Sequence, residues 1–126
     1  MGSRIETEAA PAAVGPYSQA VVADGVCYTA GQIAITPDGT DLTDRPIDEQ
    51  TRQCLENLEG ILTAAGGSLA DVLKTTVYLE DIETYETVNE IYGAYFPGTP
   101  PARSAVGVSV LPKGAGVEIE AIARIE

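Results

Sequence analysis

There is no histidine in this chain. Its absence removes the Ser-His-Asp and Cys-His nucleophile systems and the commonest metal ligand. Cysteine occurs only at Cys27 and Cys54, in neither a CxxC pair nor any other metal-ligand spacing, so two buried, reduced thiols are expected. Lysine is reduced to Lys74 and Lys113. No P-loop, GxGxxG, HExxH or EF-hand spacing occurs, and no low-complexity segment or fixed-period repeat is evident. The apolar runs fall far short of the roughly 20 residues that span a bilayer. The N-terminus lacks the charged-then-apolar pattern of a secretory signal. Chemistry is left to Arg, Glu, Asp, Tyr, Ser, backbone and water.

Acid is what the chain has in excess. Seven basic residues against nineteen acidic ones give a net charge of −12. Such a surface repels a nucleic-acid duplex and an anionic membrane, so neither is expected as a partner. It also repels itself at low ionic strength and is relieved by salt, which suits a halophilic, high-salt cytoplasm. With 126 residues, 44% of them apolar, the sequence fits one domain over residues 1–126 with a core that needs no staples. A soluble, cytoplasmic protein is expected.

Residues 18–23 and 26–35 are β-branched and apolar, joined across Asp24-Gly25, a dipeptide suited to a tight hairpin. Residues 36–46 carry Pro37, Asp38, Gly39, Asp41, Asp44 and Pro46, the composition of a surface loop. From Asp48, a candidate N-cap, to Ala65, the residues Cys54, Leu55, Leu58, Ile61 and Leu62 recur at three and four, with Gly66-Gly67 as a stop. That spacing predicts an amphipathic helix. A strand is predicted over residues 73–79 and a second helix over 82–96, ended by Pro97-Gly98. Two strands follow, over 102–110 and 117–125. The fold class is therefore α+β, in the order β-β-α-β-α-β, with two helices on one face of a mixed sheet.

Side chains alternate across a strand, so the last two strands can be read face by face. In the first, Ser104, Val106, Val108 and Val110 oppose Arg103, Ala105, Gly107 and Ser109. In the second, Val117, Ile119, Ala121, Ala123 and Ile125 oppose Glu118, Glu120, Ile122 and Arg124. Giving the more apolar faces to the helices leaves Arg103 and both glutamates together on the far side, a face that suits a partner subunit.

Three features invite chemistry, each with a plain structural alternative. Tyr17 follows the rigid turn Val14-Gly15-Pro16 and either presents a phenol at a pocket mouth or packs. Gly31 breaks a strand, marking a bulge or a close backbone approach by a ligand. Glu118 and Glu120 project about 7 Å apart on one face. They could form a catalytic carboxylate pair, or a ladder of ion pairs with Arg103 and Arg124.

The chain resembles the RidA (YjgF) reactive-intermediate deaminases along nearly its whole length. The matching segments are Ala9-Ala10-Pro11-Ala12-Ala13-Val14-Gly15-Pro16-Tyr17-Ser18-Gln19-Ala20, Thr29-Ala30-Gly31-Gln32-Ile33, 53–57, 72–77, Val88-Asn89, and Pro101-Ala102-Arg103-Ser104 through Ala123. The resemblance implies a chorismate-mutase-like fold, a homotrimer with clefts between subunits, and a metal-free, cofactor-free enzyme. Its substrates would be enamines and imines of the 2-aminoacrylate kind, hydrolysed to 2-keto acids and ammonia.

By the same resemblance, Arg103 binds the substrate carboxylate and Glu118 positions or activates water. Tyr17 and Asn89 match pocket residues, Gly31 lines the cleft, and the backbone of Ala105 contributes a polar contact. Glu120 is left with a structural ion-pair role. Ala105 departs from the cysteine that many members carry, which enlarges the pocket or alters the substrate chosen. Two rival functions follow: a non-catalytic trimeric sensor of 2-keto acids or small carboxylates, and a chaperone or ribonuclease. The acidic surface and the missing histidine oppose the ribonuclease.

Overall fold

The computed structural model describes residues 2–125. Among them are six strands, β1 (Ser3–Ile5), β2 (Ala20–Ala23), β3 (Val26–Thr29), β4 (Val72–Leu79), β5 (Ala102–Gly107) and β6 (Val117–Arg124), and two α-helices, α1 (Ile47–Ala64) and α2 (Tyr85–Tyr95). The strands form one sheet in the order β1-β2-β3-β6-β4-β5. β4 and β5 run parallel and the other neighbours are antiparallel. Both helices cover one face of this mixed sheet, as the sequence pattern predicts.

The Asp24-Gly25 turn forms, with both residues at positive φ (52° and 76°), closing the β2–β3 hairpin. β1 has no counterpart in the sequence reading; three residues paired to β2 are too few to show a period. The second predicted strand stops at Thr29 instead of Ile35. Beyond it the chain turns, and only Gln32 rejoins the sheet, through a bridge to Ile119.

Helix α1 buries Cys54, Leu55, Leu58, Ile61 and Leu62 completely against the sheet. Each large aliphatic side chain buried this way contributes about 1.5–3 kcal/mol. Pro46, not Asp48, holds the N-cap position; Asp48 lies in the first turn and pairs with Arg52 at 3.4 Å. An acid there favours the positive end of the helix dipole without capping it. The C-terminus ends as expected. Gly66 takes φ 95° and the Gly67 N–H donates to the Leu62 carbonyl at 2.8 Å, closing the helix in a Schellman turn.

The β6 alternation holds. Val117, Ile119, Ala121, Ala123 and Ile125 are buried under the helices, and Glu118, Glu120 and Ile122 are half-buried on the open face. The facing of β5 is the reverse of the expected one. Its register sets Arg103 beside Thr75, Ala105 beside Val77 and Gly107 beside Leu79, and those three β4 residues are in the core. Arg103 and Ala105 therefore point toward the helices, while Ser104 and Val106 point to the open face and are exposed. Counting apolar side chains misleads here because β5 is an edge strand lying close under α2.

Candidate functional site

Because β5 faces the other way, the residues singled out from the sequence separate into two clusters. One is built on β5 and α2. Arg103 is half-buried at the sheet edge and donates from Nη2 to the Tyr85 hydroxyl at 2.8 Å. Its guanidinium carbon lies 5.3 Å from the Tyr85 ring centroid and 4.8 Å from that of Tyr92. Both rings thus hold the cation through their π faces. Tyr92 is itself fixed from behind by a 2.7 Å bond between its hydroxyl and that of Thr75, which is fully buried, and by the Phe96 ring at 4.7 Å. Burial raises the Tyr92 pKa, a shift the Thr75 bond and the Arg103 charge partly offset.

Asn89 belongs with this cluster. It lies four residues from Tyr85 and three from Tyr92, the spacing that puts all three on one helix face. Its Oδ1 is buried with no partner among the described residues. Ala105 follows Arg103 on the same face of β5 and packs against the core.

No described carboxylate lies within ion-pair distance of Arg103. In a chain with 19 acidic residues this is a selective omission. Apart from the Nη2 bond to Tyr85, its fork of N–H donors suits the two oxygens of a carboxylate.

The second cluster lies on the open face and around the end of the β2–β3 hairpin opposite its turn. Glu118 projects from the start of β6, and its carboxylate rests against the backbone of Gly31. Burial, and then the neighbouring charge of Glu120, push its pKa above the ordinary glutamate range. Where the sequence reading offered a bulge or a ligand at Gly31, the group that comes close is the Glu118 carboxylate. Tyr17 is half-exposed, its backbone N–H bonded to the Gly15 carbonyl at 2.9 Å and its phenol oxygen accepting from the Val14 N–H at 3.3 Å. Tyr17, Gly31, Gln32, Ile33 and Lys113 line a cleft of about 400 Å³.

Glu120 does not pair with Arg103, since the two side chains leave opposite faces of the sheet. It neighbours the Tyr78 phenol, whose pKa is raised by burial and then by Glu120. Cys27 and Cys54 are buried and unpaired, as expected. Burial, and next the Glu118 charge, push the Cys54 thiol far above its usual range, so it is no nucleophile.

Sequence reading missed the residues that hold these clusters in place. Tyr85 and Tyr92 lie in the second predicted helix, where no motif singles them out. Asn57 is fully buried; it donates to the carbonyls of Ile35 at 2.8 Å and Ile33 at 3.4 Å, tying the segment after Gly31 to α1. Gln19 accepts from the Thr7 N–H at 2.7 Å and donates to the Pro11 carbonyl at 2.8 Å, fixing the loop that leads to Tyr17. A polar residue at a buried position is the only sequence signal such roles leave.

The fold and its two polar clusters define an α+β protein with a half-buried arginine on one face of the sheet, a half-buried glutamate on the other and a cleft of about 400 Å³. Comparison with known proteins makes this specific. The sequence model of the family described as endoribonuclease L-PSP matches residues 7–125. A RutC family protein of Pyrococcus horikoshii is 52% identical over 122 residues, 97% of each chain. The human 2-iminobutanoate/2-iminopropanoate deaminase is 49% identical over 119 residues, 94% of this chain and 87% of its own. Among solved structures, a Rid family protein from Yersinia pestis superposes with a TM-score of 0.95 at 50% identity, covering 99% of this chain and 100% of its own. TdcF of E. coli with bound serine superposes with a TM-score of 0.92 at 39% identity, covering 98% and 99%. The chain belongs to this endoribonuclease L-PSP family, which is the RidA (YjgF) family of the sequence resemblance.

Proposed function

We propose that this chain is a 2-imino acid deaminase that hydrolyses 2-aminoacrylate-type enamines and imines to 2-keto acids and ammonia, working as a homotrimer. The observation that carries the reading is Arg103, clamped between two tyrosines and left without a described carboxylate partner. It is a preformed seat for the carboxylate that every 2-imino acid carries. The names of the human relative and of the serine-bound neighbour support the same ligand class.

The chemistry asks little of the protein. An enamine gains a proton at its terminal carbon to become the imine. Water then adds to the C=N carbon, giving a carbinolamine. That intermediate collapses to C=O as the C–N bond breaks and ammonia leaves. Arg103 holds the carboxylate and orients the carbon by charge-assisted bonds. Glu118 takes the proton from the attacking water and passes it to the departing nitrogen, a task suited to a carboxylate with a raised pKa. The Tyr17 phenol donates at the cleft mouth and Asn89 supplies an amide. The Ala105 backbone adds a polar contact, and the missing thiol leaves room for a bulkier side chain. Written this way, the reaction needs water and no cofactor.

Arg103 and Glu118 leave opposite faces of the sheet, so one chain offers two half-sites and a complete site takes two chains. The open face supports this. It exposes Val21, Tyr28 and Val106 beside the half-buried Ile122, which is more apolar surface than water favours. Three copies follow from the resemblance, with Arg103 of one chain facing Glu118 of the next. The unpaired thiols suit a reducing, cytoplasmic setting. No helix of the described residues is long and apolar enough to cross a membrane. The family description names an endoribonuclease, but a net charge of −12 opposes RNA binding.

The test generates 2-aminoacrylate in situ and follows imine loss. Wild-type protein no faster than Arg103→Ala would refute the deaminase, and tight keto-acid binding in its place would establish the sensor. Mixing inactive Arg103→Ala and Glu118→Gln chains, unfolded and refolded together, should restore about one quarter of wild-type activity, the fraction of interfaces with both residues intact in a cyclic oligomer. No recovery would rule out a shared site.

A further inference from the structure

Gly31 is a glycine for a reason that its own backbone does not give. Its φ lies outside the left-handed region, so any L-residue could adopt its conformation. What excludes a side chain is the space in front of it. A Cβ built there would stand 2.0 Å from Glu118 Oε2, 2.8 Å from its Cδ and 3.0 Å from its Cγ. The terminal half of the Glu118 side chain occupies the volume that a methyl group would take.

The backbone at Gly31 is held firmly enough that Glu118 would have to yield. The preceding Ala30 N–H donates to the Gln19 carbonyl at 2.8 Å. The following Gln32 exchanges two bonds with Ile119, at 2.8 and 3.0 Å. Asn57 then fixes the carbonyls of Ile33 and Ile35. Ile119 is the neighbour of Glu118, so the seat and the residue seated in it are tied to each other through the sheet.

We propose that Gly31 is a positioning residue for imine hydrolysis, its missing side chain forming the seat that holds the Glu118 carboxylate where it meets water. The proposal rests on the reading of Glu118 as the water-activating base. Beside that carboxylate on the open face are Glu120 from the same strand and Tyr78 from β4, with Tyr28 and Lys74 at the Ile122 register farther along; from the other face of the sheet the buried Cys54 of α1 is near enough to feel its charge. A methyl group on residue 31 would push the carboxylate outward, away from its partly buried seat. Its proton affinity would then fall toward that of an ordinary glutamate.

Gly31→Ala should lower kcat about a hundredfold with little change in KM, as expected for a misplacement near 1 Å. The acid limb of its pH–rate profile should move to lower pH. Combined with Glu118→Gln it should cost no more than Glu118→Gln alone, because both changes act through one carboxylate. Equal losses in both backgrounds, or an unmoved acid limb, would overturn the proposal. If wild-type protein shows no turnover, the deaminase reading fails. NMR titration of the labelled Glu118 carboxyl then decides the seat by itself: a downward shift in Gly31→Ala supports it and no shift overturns it. Should Gly31→Ala fail to fold, Gly31→Ala with Glu118→Ala removes the collision and must fold. If that variant also fails, Gly31 serves the backbone and the proposal is wrong.

Discussion

Replacing Arg103 with methionine separates a binding arginine from a structural one. In the folded chain the guanidinium gives up one hydrogen bond to a partly exposed Tyr85 and two ring contacts. The bond is worth about 0.5–1.5 kcal/mol and each ring contact about 0.5–1 kcal/mol at such a site. Methionine recovers about 0.3–1.5 kcal/mol through sulfur–ring contact and removes a half-buried charge that lacks a described carboxylate. These contributions leave a net loss of about 1–2 kcal/mol, a fall in Tm of about 4–8 °C at this chain length. An arginine in a buried ion pair would instead cost about 3–5 kcal/mol to remove. Binding should respond in the opposite way. Two charge-assisted bonds to a carboxylate, about 1.5–3 kcal/mol each, correspond to an affinity loss of at least about a hundredfold. Thermal unfolding at fixed subunit concentration, with calorimetry of 2-oxobutanoate binding, reads both quantities. A loss of stability above about 3 kcal/mol, or retained affinity, would refute the reasoning.

Glu118→Gln should lower turnover by about 10²–10⁴-fold, the usual contribution of a general base. In wild type, activity should fall as pH drops through a Glu118 pKa lying above the ordinary glutamate range. Because folding raises that pKa, the stability linked to it is fully present below the unfolded value and is lost as pH rises through the folded one. Glu118→Gln should therefore raise Tm at neutral pH and lose that advantage on acidification; a gap independent of pH would contradict the cause assigned. Tyr92→Phe strands the fully buried Thr75 hydroxyl and should cost about 1–3 kcal/mol by denaturant titration, most of it recovered by adding Thr75→Val. A costless Tyr92→Phe would show that the Thr75–Tyr92 bond does not stabilise the fold.

Much of this architecture was legible because periodicity and punctuation agreed. The α1 stripe, the Asp24-Gly25 turn and the β6 alternation each carry a local signal that tertiary packing had no reason to override. β5 failed because its two faces differ little in apolar content. The decision was made by the register with β4 and by how near α2 comes, neither of which is local. Val106, exposed at 40%, turns outward against the hydrophobic count because the register with β4 sets it beside Tyr78 on the open face. The candidate site residues could be singled out one at a time from motifs, yet their division between two faces could not. That division depends on the β5 error, since turning one strand over moved Arg103 away from Glu118. Asn57 and Gln19 stayed silent because a buried amide looks in sequence like any surface amide.

The isolation of Arg103 within so acidic a chain bears on how fast a ligand arrives. A carboxylate approaching a body with a net charge of −12 climbs a repulsive potential until it comes within reach of the guanidinium. Encounter is slow in dilute buffer and quickens as ions shorten the range of the repulsion, from about 30 Å at 0.01 M salt to about 8 Å at physiological strength. Beyond that, further salt begins to mask the arginine's own attraction. Capture of a small carboxylate at Arg103 is then expected to be fastest at an intermediate ionic strength, because the acid that opposes a nucleic acid also opposes any small anion on its way in.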